Sequence, residues 1–155
     1  MASKMFDITT GEECWITPPS LQRSFGEFDL DPCVPENMPY ATAKEMVTKK
    51  TDGLKVDWGN KRVWLNPPYG RAMPPFLEKM HNGIALIPAR TDTKWFHDLV
   101  LPKANSILFM RGRVRFLYHG KSQGSPAFPS MLVAYTRYDT EMLKKSGIKG
   151  VIWEL

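Results

Sequence analysis

Val63-Trp64-Leu65-Asn66-Pro67-Pro68-Tyr69-Gly70 is the stretch that decides the reading, because an apolar strand runs directly into a turn built from an amide, two prolines and an aromatic ring. Each proline fixes its own φ and lacks an N–H donor, and the residue before a proline is pushed into an extended conformation. The result is a pocket with acceptors and few competing donors. An exocyclic amine entering it would donate to the Asn66 side-chain oxygen and the Pro67 carbonyl, with the Tyr69 ring stacked on its heterocycle. Those bonds favour a pyramidal nitrogen whose lone pair attacks an electrophilic methyl group, so catalysis would rest on positioning and electrostatics. Asn-Pro-Pro alone is also an ordinary turn. The Val-Trp-Leu strand ahead of it places the turn at a carboxyl edge, where open α/β sheets bind ligands.

Outward from this stretch, Ala72 to Met80 has helical spacing with Phe76, Leu77 and Met80 inward, closed by Asn82-Gly83. Ile84 to Pro88 is an apolar run of the kind found in buried central strands. It leads into Ala89-Arg90-Thr91-Asp92-Thr93, where Thr91 or Asp92 is expected to cap a helix holding Trp95, Phe96 and Leu99. Ser106 to Met110 and Val114 to Tyr118 read as strands about a turn at Gly112, and Pro129 to Tyr135 and Gly150 to Glu154 as two more, the last an edge strand.

Toward the amino terminus, residues 1–11 read as a polar, flexible arm, and Glu12 to Ser20, which includes Trp15-Ile16-Thr17-Pro18, reads as a rigid loop. Ser20 is expected to cap a short helix through Leu21 and Phe25, ended by Gly26. Glu27 to Asp31 alternates acidic and apolar residues and stops at Pro32, as in a strand delivering Asp31 to a loop. Asp31 is then either a ligand or a solvated turn residue. Between Pro32 and Lys61 there is room for about one abbreviated βαβ unit, with a short helix expected over Ala41 to Val47. Asp52, beside Gly53 and Leu54, is either an acceptor for a cofactor or part of a plain turn.

The 155 residues suit one domain with one core, and 43% hydrophobic content without a long apolar window predicts no membrane span. Residues 1–10 lack a signal pattern, which predicts the cytoplasm. Two cysteines, Cys14 and Cys33, are too few for a disulfide framework or a zinc site, so reduced thiols and no metal are expected. The net charge of +5 suits an anionic partner. Arg111, Arg113 and Arg115 alternate along an extended segment, a pattern that fits DNA contact and a solvated strand face equally well. The glycine- and serine-rich loop His119 to Pro126, with Lys121, is a candidate lid or DNA-facing loop.

Taken together and in order, Trp15-Ile16-Thr17-Pro18, Phe28-Asp29-Leu30-Asp31-Pro32-Cys33, Asp52-Gly53-Leu54, the Asn66-Pro67-Pro68-Tyr69 stretch, Pro88 to Thr93, Trp95-Phe96-His97-Asp98 and Arg111-Gly112-Arg113 resemble the motif succession of the phage and prophage DNA N6-adenine methyltransferase (Dam-like) family. The resemblance runs from Glu12 to Tyr135. It implies a single-domain Rossmann-like α/β sandwich, abbreviated between the first strand and the catalytic strand, with an antiparallel edge. It implies S-adenosylmethionine as methyl donor, adenine N6 in DNA as acceptor, and no metal. By the same resemblance Asn66, Pro67, Pro68 and Tyr69 are catalytic. Trp15, Thr17, Pro18, Asp31, Pro32, Cys33, Asp52 and Leu54 bind the donor, and Arg90, Arg111, Arg113 and Lys121 meet DNA. Asp31 is followed by Pro32-Cys33 and no glycine, unlike many methyltransferases of this fold. The tetrapeptide chemistry alone also fits methylation of RNA guanine or a protein glutamine amide, and a catalytically idle DNA-binding module would keep the same sheet.

Overall fold

The computed structural model describes residues 15–118, 121–122 and 129–155; the arm over 1–11 and most of the loop at 119–126 lie outside them. In chain order the strands are β1 (Trp15–Ile16), β2 (Leu30–Val34), β3 (Glu45–Thr48), β4 (Val63–Leu65), β5 (Gly83–Pro88), β6 (Ser106–Met110), β7 (Leu117–Tyr118), β8 (Lys121–Ser122), β9 (Ser130–Ala134) and β10 (Gly150–Glu154). The α-helices are α1 (Pro19–Arg23), α2 (Met73–Lys79) and α3 (Arg137–Lys145), with a π-helical turn over Phe96–Val100.

Seven strands form one sheet in the order β10-β6-β9-β5-β4-β2-β3. The pairs β3–β2, β2–β4 and β4–β5 are parallel, whereas β9 is antiparallel to both β5 and β6 and β10 is antiparallel to β6. The antiparallel part therefore reaches inward to β5, further than an edge. From β2 the chain moves to β3 on one side, while β4 is followed by β5 on the other. The β2–β4 junction is thus a topological switch point, where the connections diverge and leave a crevice at the strand ends.

Strand side chains alternate between two apolar layers. Val63, Leu65, Ala85, Ile87, Ile107, Met131 and Val133 pack with Phe76 and Leu77 of α2 and with Phe96 and Val100. Trp64, Ile84, Leu86, Leu108, Leu132 and Ala134 pack on the opposite face with Phe25, Phe28, Leu143 of α3 and Leu21 of α1. Trp64 stacks on Phe25, ring centroids 5.9 Å apart. Each fully buried large side chain contributes roughly 1.5–3 kcal/mol, and coverage of both faces explains why every residue of β5 is buried. This mixed α/β arrangement is compatible with a Rossmann-like methyltransferase. No helix among the described residues is long and apolar enough to cross a membrane.

A buried polar cluster clamps the sheet edge opposite the crevice. Asp139 is fully buried and pairs with Arg62 Nε at 2.8 Å. It also accepts from the Gly83 amide at 3.0 Å and from the Thr136 hydroxyl. The Thr136 hydroxyl in turn accepts from the Asp139 amide at 3.1 Å, the N-cap that starts α3. Gly83 has φ +116, and a Cβ there would sit 2.0 Å from the Val63 carbonyl oxygen, so β4 and β5 approach this closely only with glycine.

Several local expectations are corrected. Ser20 is not the cap of α1: the helix begins at Pro19, with Pro18 in the cap position, because proline suits the first helical residue. Pro32 does not end its strand. β2 starts at Leu30 and runs through Pro32 to Val34, and the missing N–H is absorbed where the β2–β3 register shifts between Asp31 and Val34. Ala41 to Val47 is not helical, since Glu45–Thr48 pairs with β2, and sheet pairing overrides local spacing. The turn before Phe96 is capped by Thr93, whose hydroxyl accepts from the Phe96 amide at 3.4 Å, and not by Thr91 or Asp92. Of the strand expected over Val114 to Tyr118, only Leu117–Tyr118 pairs, joining a separate small sheet with β1 and β8.

Candidate active site

Asp31 lies in β2 on the switch-point crevice and is 4% exposed. Its Oδ1 accepts from the Cys33 amide at 3.0 Å and its Oδ2 from the Thr42 hydroxyl at 2.5 Å. Burial raises its pKa to about 6, against the lowering effect of the Thr42 and Cys33 bonds. Thr42 is itself buried, and its carbonyl accepts from buried Gln22 Nε2 at 2.6 Å, so α1 braces the carboxylate. No salt bridge reaches Asp31 among the described residues. A buried carboxylate without a cation is costly to keep ionised, which is why its pKa is raised.

Across the crevice, Asn66 follows β4. Its Nδ2 donates to Thr17 Oγ1 at 3.0 Å, and Thr17 is 3% exposed. This bond fixes the amide so that Oδ1, an acceptor, takes no hydrogen bond among the described residues. Thr17 is held in turn by Tyr40, whose hydroxyl donates to the Thr17 carbonyl at 2.6 Å. The Tyr40 phenol is pushed up to about 12, first by burial and then by the Asp31 carboxylate, with Arg23 opposing. The Arg23 guanidinium stands 5.4 Å from the Tyr40 ring centroid. Tyr40 thus senses Asp31 and braces the segment that orients Asn66.

Pro67 is buried and Pro68 half-buried. Tyr69 leaves the turn in an extended conformation, φ −81° and ψ 162°, with its ring against the first core layer. Its hydroxyl is buried near Ser130 of β9, and burial holds the phenol above its ordinary range. Asp52 has φ +67° and accepts from the Leu54 amide at 3.0 Å, an Asx turn. That turn leans on β2: a Cβ at Gly53 would sit 1.9 Å from the Pro32 carbonyl oxygen, and Trp58 Nε1 donates to the Gly53 carbonyl at 2.8 Å.

The structure therefore brings Thr17, Asp31, Pro32, Cys33, Asp52, Leu54 and the Asn66–Tyr69 turn to one edge of the sheet. Pro18 continues from Thr17 into α1, and Trp15 contributes its β1 pairing to Tyr118. Arg90 is exposed just past the carboxyl end of β5; Arg111 and Arg113 are exposed on the loop after β6, further along the same edge. Lys121 lies in β8, and its side chain is outside the described residues. Arg111 to Phe116 is a loop and not a strand, so the expected arginine face is a loop wall. Tyr40, Thr42 and Gln22 are the residues that sequence reasoning missed; their partners are 11 to 23 residues away, and no local pattern announces them. No group of three or more His, Cys, Asp or Glu among the described residues is placed to hold a metal.

Two open clefts lie apart from Asn66 and Asp31. One, of about 340 Å³, is lined by Arg111 to Arg115, Lys149 and the start of α1. The other, of about 470 Å³, lies behind the Thr42 brace, between Gln22–Phe28 and Ala41–Lys44.

A family model described as DNA N-6-adenine-methyltransferase (Dam) matches residues 8–147. The DNA N-6-adenine-methyltransferase of Haemophilus phage HP1 (strain HP1c1) is 29% identical over 119 residues, covering 70% of this chain and 67% of that protein. That of Escherichia phage T1 is 36% identical over 97 residues, 56% of this chain and 40% of the phage T1 protein. No solved structure matches.

Proposed function

The chain belongs to the DNA N-6-adenine-methyltransferase (Dam) family, and on that premise we propose that it transfers a methyl group from S-adenosylmethionine to the N6 amino group of adenine in DNA. The observation that supports the reading is the Thr17–Asn66 hydrogen bond, which occupies the amide nitrogen of Asn66 and leaves its oxygen without a hydrogen bond among the described residues, at the same edge of the sheet as the buried Asp31.

The residues fit the donor. Asp31 offers a carboxylate to the ammonium group of the methionine portion, and the Asp52–Leu54 turn, packed on Pro32, closes the neighbouring side for the adenosine end. Thr17 and Pro18 cover the crevice. When bound, S-adenosylmethionine supplies the electrophilic methyl group. Asn66 Oδ1 and the Pro67 carbonyl accept the two N–H bonds of the adenine amine, and Tyr69 meets the base. The N6 lone pair would form the new N–C bond as the bond between the methyl group and the donor's sulfonium breaks, leaving S-adenosylhomocysteine, and the surplus N6 proton would pass to solvent. Because N6 of a paired adenine is engaged in its base pair, the nucleotide is flipped out or taken from an unpaired strand. Arg90, Arg111, Arg113 and Lys121 contact the DNA. Residues 1–155 act as one catalytic domain, phage or prophage encoded, in the cytoplasm of the host.

The family model spans the whole motif succession, which favours DNA adenine over RNA guanine or protein glutamine. Incubation with labelled donor and, separately, DNA, RNA and protein, followed by mass analysis, tests the reading. N6-methyladenine in DNA is expected; label confined to RNA or protein would overturn it.

A further inference from the structure

The open cleft of about 340 Å³ is lined by Arg111, Arg113, Arg115 and Lys149 over an apolar floor that includes Leu21, Val114 and Ile148, and among the described residues no carboxylate lines it. Val114 and Phe116 are 7% and 5% exposed and turn into the second core layer, which leaves Arg113 and Arg115 outward although the segment is not a strand. The Arg111 amide donates to the Lys149 carbonyl at 2.9 Å, so the two cationic loops are pinned to each other. β6 runs in the same direction as β5, and its carboxyl end therefore opens this cleft on the edge that carries Asn66.

The cleft is also joined to the active site by covalent and sheet connections. Pro18, on its rim, is the neighbour of Thr17, whose hydroxyl holds Asn66. Just before Thr17, β1 pairs with β7, which directly follows the arginine loop. Both walls of the cleft thus hang from one small sheet beside the catalytic amide.

We propose that this cleft is the track for the sugar-phosphate backbone of the DNA strand carrying the target adenine, with Arg115 and Lys149 as phosphate contacts alongside Arg111 and Arg113. The inference rests on the DNA-methylation reading and extends it to two further residues and a path. A cleft walled by four cations, with no carboxylate among the described residues that line it, fits a polyanion, and its apolar floor fits sugar rings. Each phosphate neutralised releases condensed counterions, so each contact steepens the salt dependence of binding.

The test measures binding of the full chain to a fluorescent DNA duplex by anisotropy between 50 and 200 mM salt. Arg115→Gln and Lys149→Gln should each weaken binding by roughly three- to tenfold and lower the log–log salt slope by about one. Arg115→Lys should keep the slope, because it keeps the charge. Lys50→Gln, at an exposed lysine paired with Glu36 and outside the cleft, should bind as wild type. Calorimetric affinity for S-adenosylmethionine should not change in the two cleft variants. Wild-type slope and affinity in both glutamine variants would overturn the track. Preferential capture of an acidic peptide, with DNA binding unaffected by the substitutions, would overturn it too. If the wild-type chain methylates DNA while the variants bind normally, only the track fails; if the wild type methylates no DNA, the parent reading fails.

Discussion

Asp31→Asn should make the protein more stable at neutral pH while removing its grip on the donor. The Asp31 pKa rises from 3.8 to about 6 because burial disfavours the carboxylate more than the Thr42 and Cys33 bonds support it. A group whose folded pKa exceeds its unfolded value contributes stability that is fully present below the unfolded pKa. That contribution is lost as pH rises through the folded one. Below pH 3.8 Asp31 is therefore neutral and favourable; above about 6 the fold carries a buried anion. At 1.36 kcal/mol per pKa unit the burden is about 3 kcal/mol. Asparagine keeps the shape, lets Oδ1 accept from the Cys33 amide, and lets the Thr42 hydroxyl rotate to accept from Nδ2. Allowing for imperfect replacement of those bonds, the gain at pH 7.5 should be about 1–3 kcal/mol, or roughly 2–4 °C in Tm per kcal/mol for a chain of this size. Urea and thermal unfolding of both proteins at pH 7.5 and pH 4 provide the assay, with donor calorimetry alongside. An Asp31→Asn protein less stable than wild type at pH 7.5, or a difference that does not shrink in acid, would refute the reasoning.

Other perturbations probe separate parts of the account. Thr17→Val removes the acceptor at 3.0 Å from Asn66 Nδ2 and should lower kcat about tenfold, the equivalent of one hydrogen bond; Thr17→Ser should restore it, and steady-state kinetics decides. Gly53→Ala places a Cβ against the Pro32 carbonyl, so donor affinity measured by calorimetry should fall together with Tm. Asp139→Ala leaves Arg62 and the Gly83 amide without their buried partner and should cost about 3–5 kcal/mol in urea unfolding.

Much of this architecture is legible in the sequence because burial on both faces writes itself as apolar runs. Ile84 to Pro88, buried throughout, and Ser106 to Met110, buried over its first three residues, pair as strands, as does the mostly exposed edge strand Gly150 to Glu154, and the Asn66 turn sits at the carboxyl edge that its preceding strand implied. β3 was hidden because Ala41 to Val47 has helix-compatible spacing, and only pairing with β2 turns Glu45–Thr48 into a strand. α3 carries a readable start in Thr136-Arg137-Tyr138-Asp139, where the Thr136 hydroxyl caps the Asp139 amide, yet its significance lies in Asp139 reaching Arg62, 77 positions away. The site shows the same division. Asp31 and Asn66 stand in motifs, but the Thr42 and Tyr40 contacts that tune and brace them arise only when β2, α1 and the segment before β3 meet. Pro32 misled for a physical reason: a missing N–H ends many strands, whereas here a register shift absorbs it.

The central claim is that Asn66 accepts the amine of adenine in DNA. Its most direct test is mass analysis of DNA incubated at saturating S-adenosylmethionine with wild-type and Asn66→Ala protein. Wild type should produce N6-methyladenine, and Asn66→Ala should lower that rate by roughly 10²–10³-fold, the effect of deleting one preorganised polar group at a reacting centre, while donor affinity is retained. An Asn66→Ala protein that methylates DNA at the wild-type rate would contradict it.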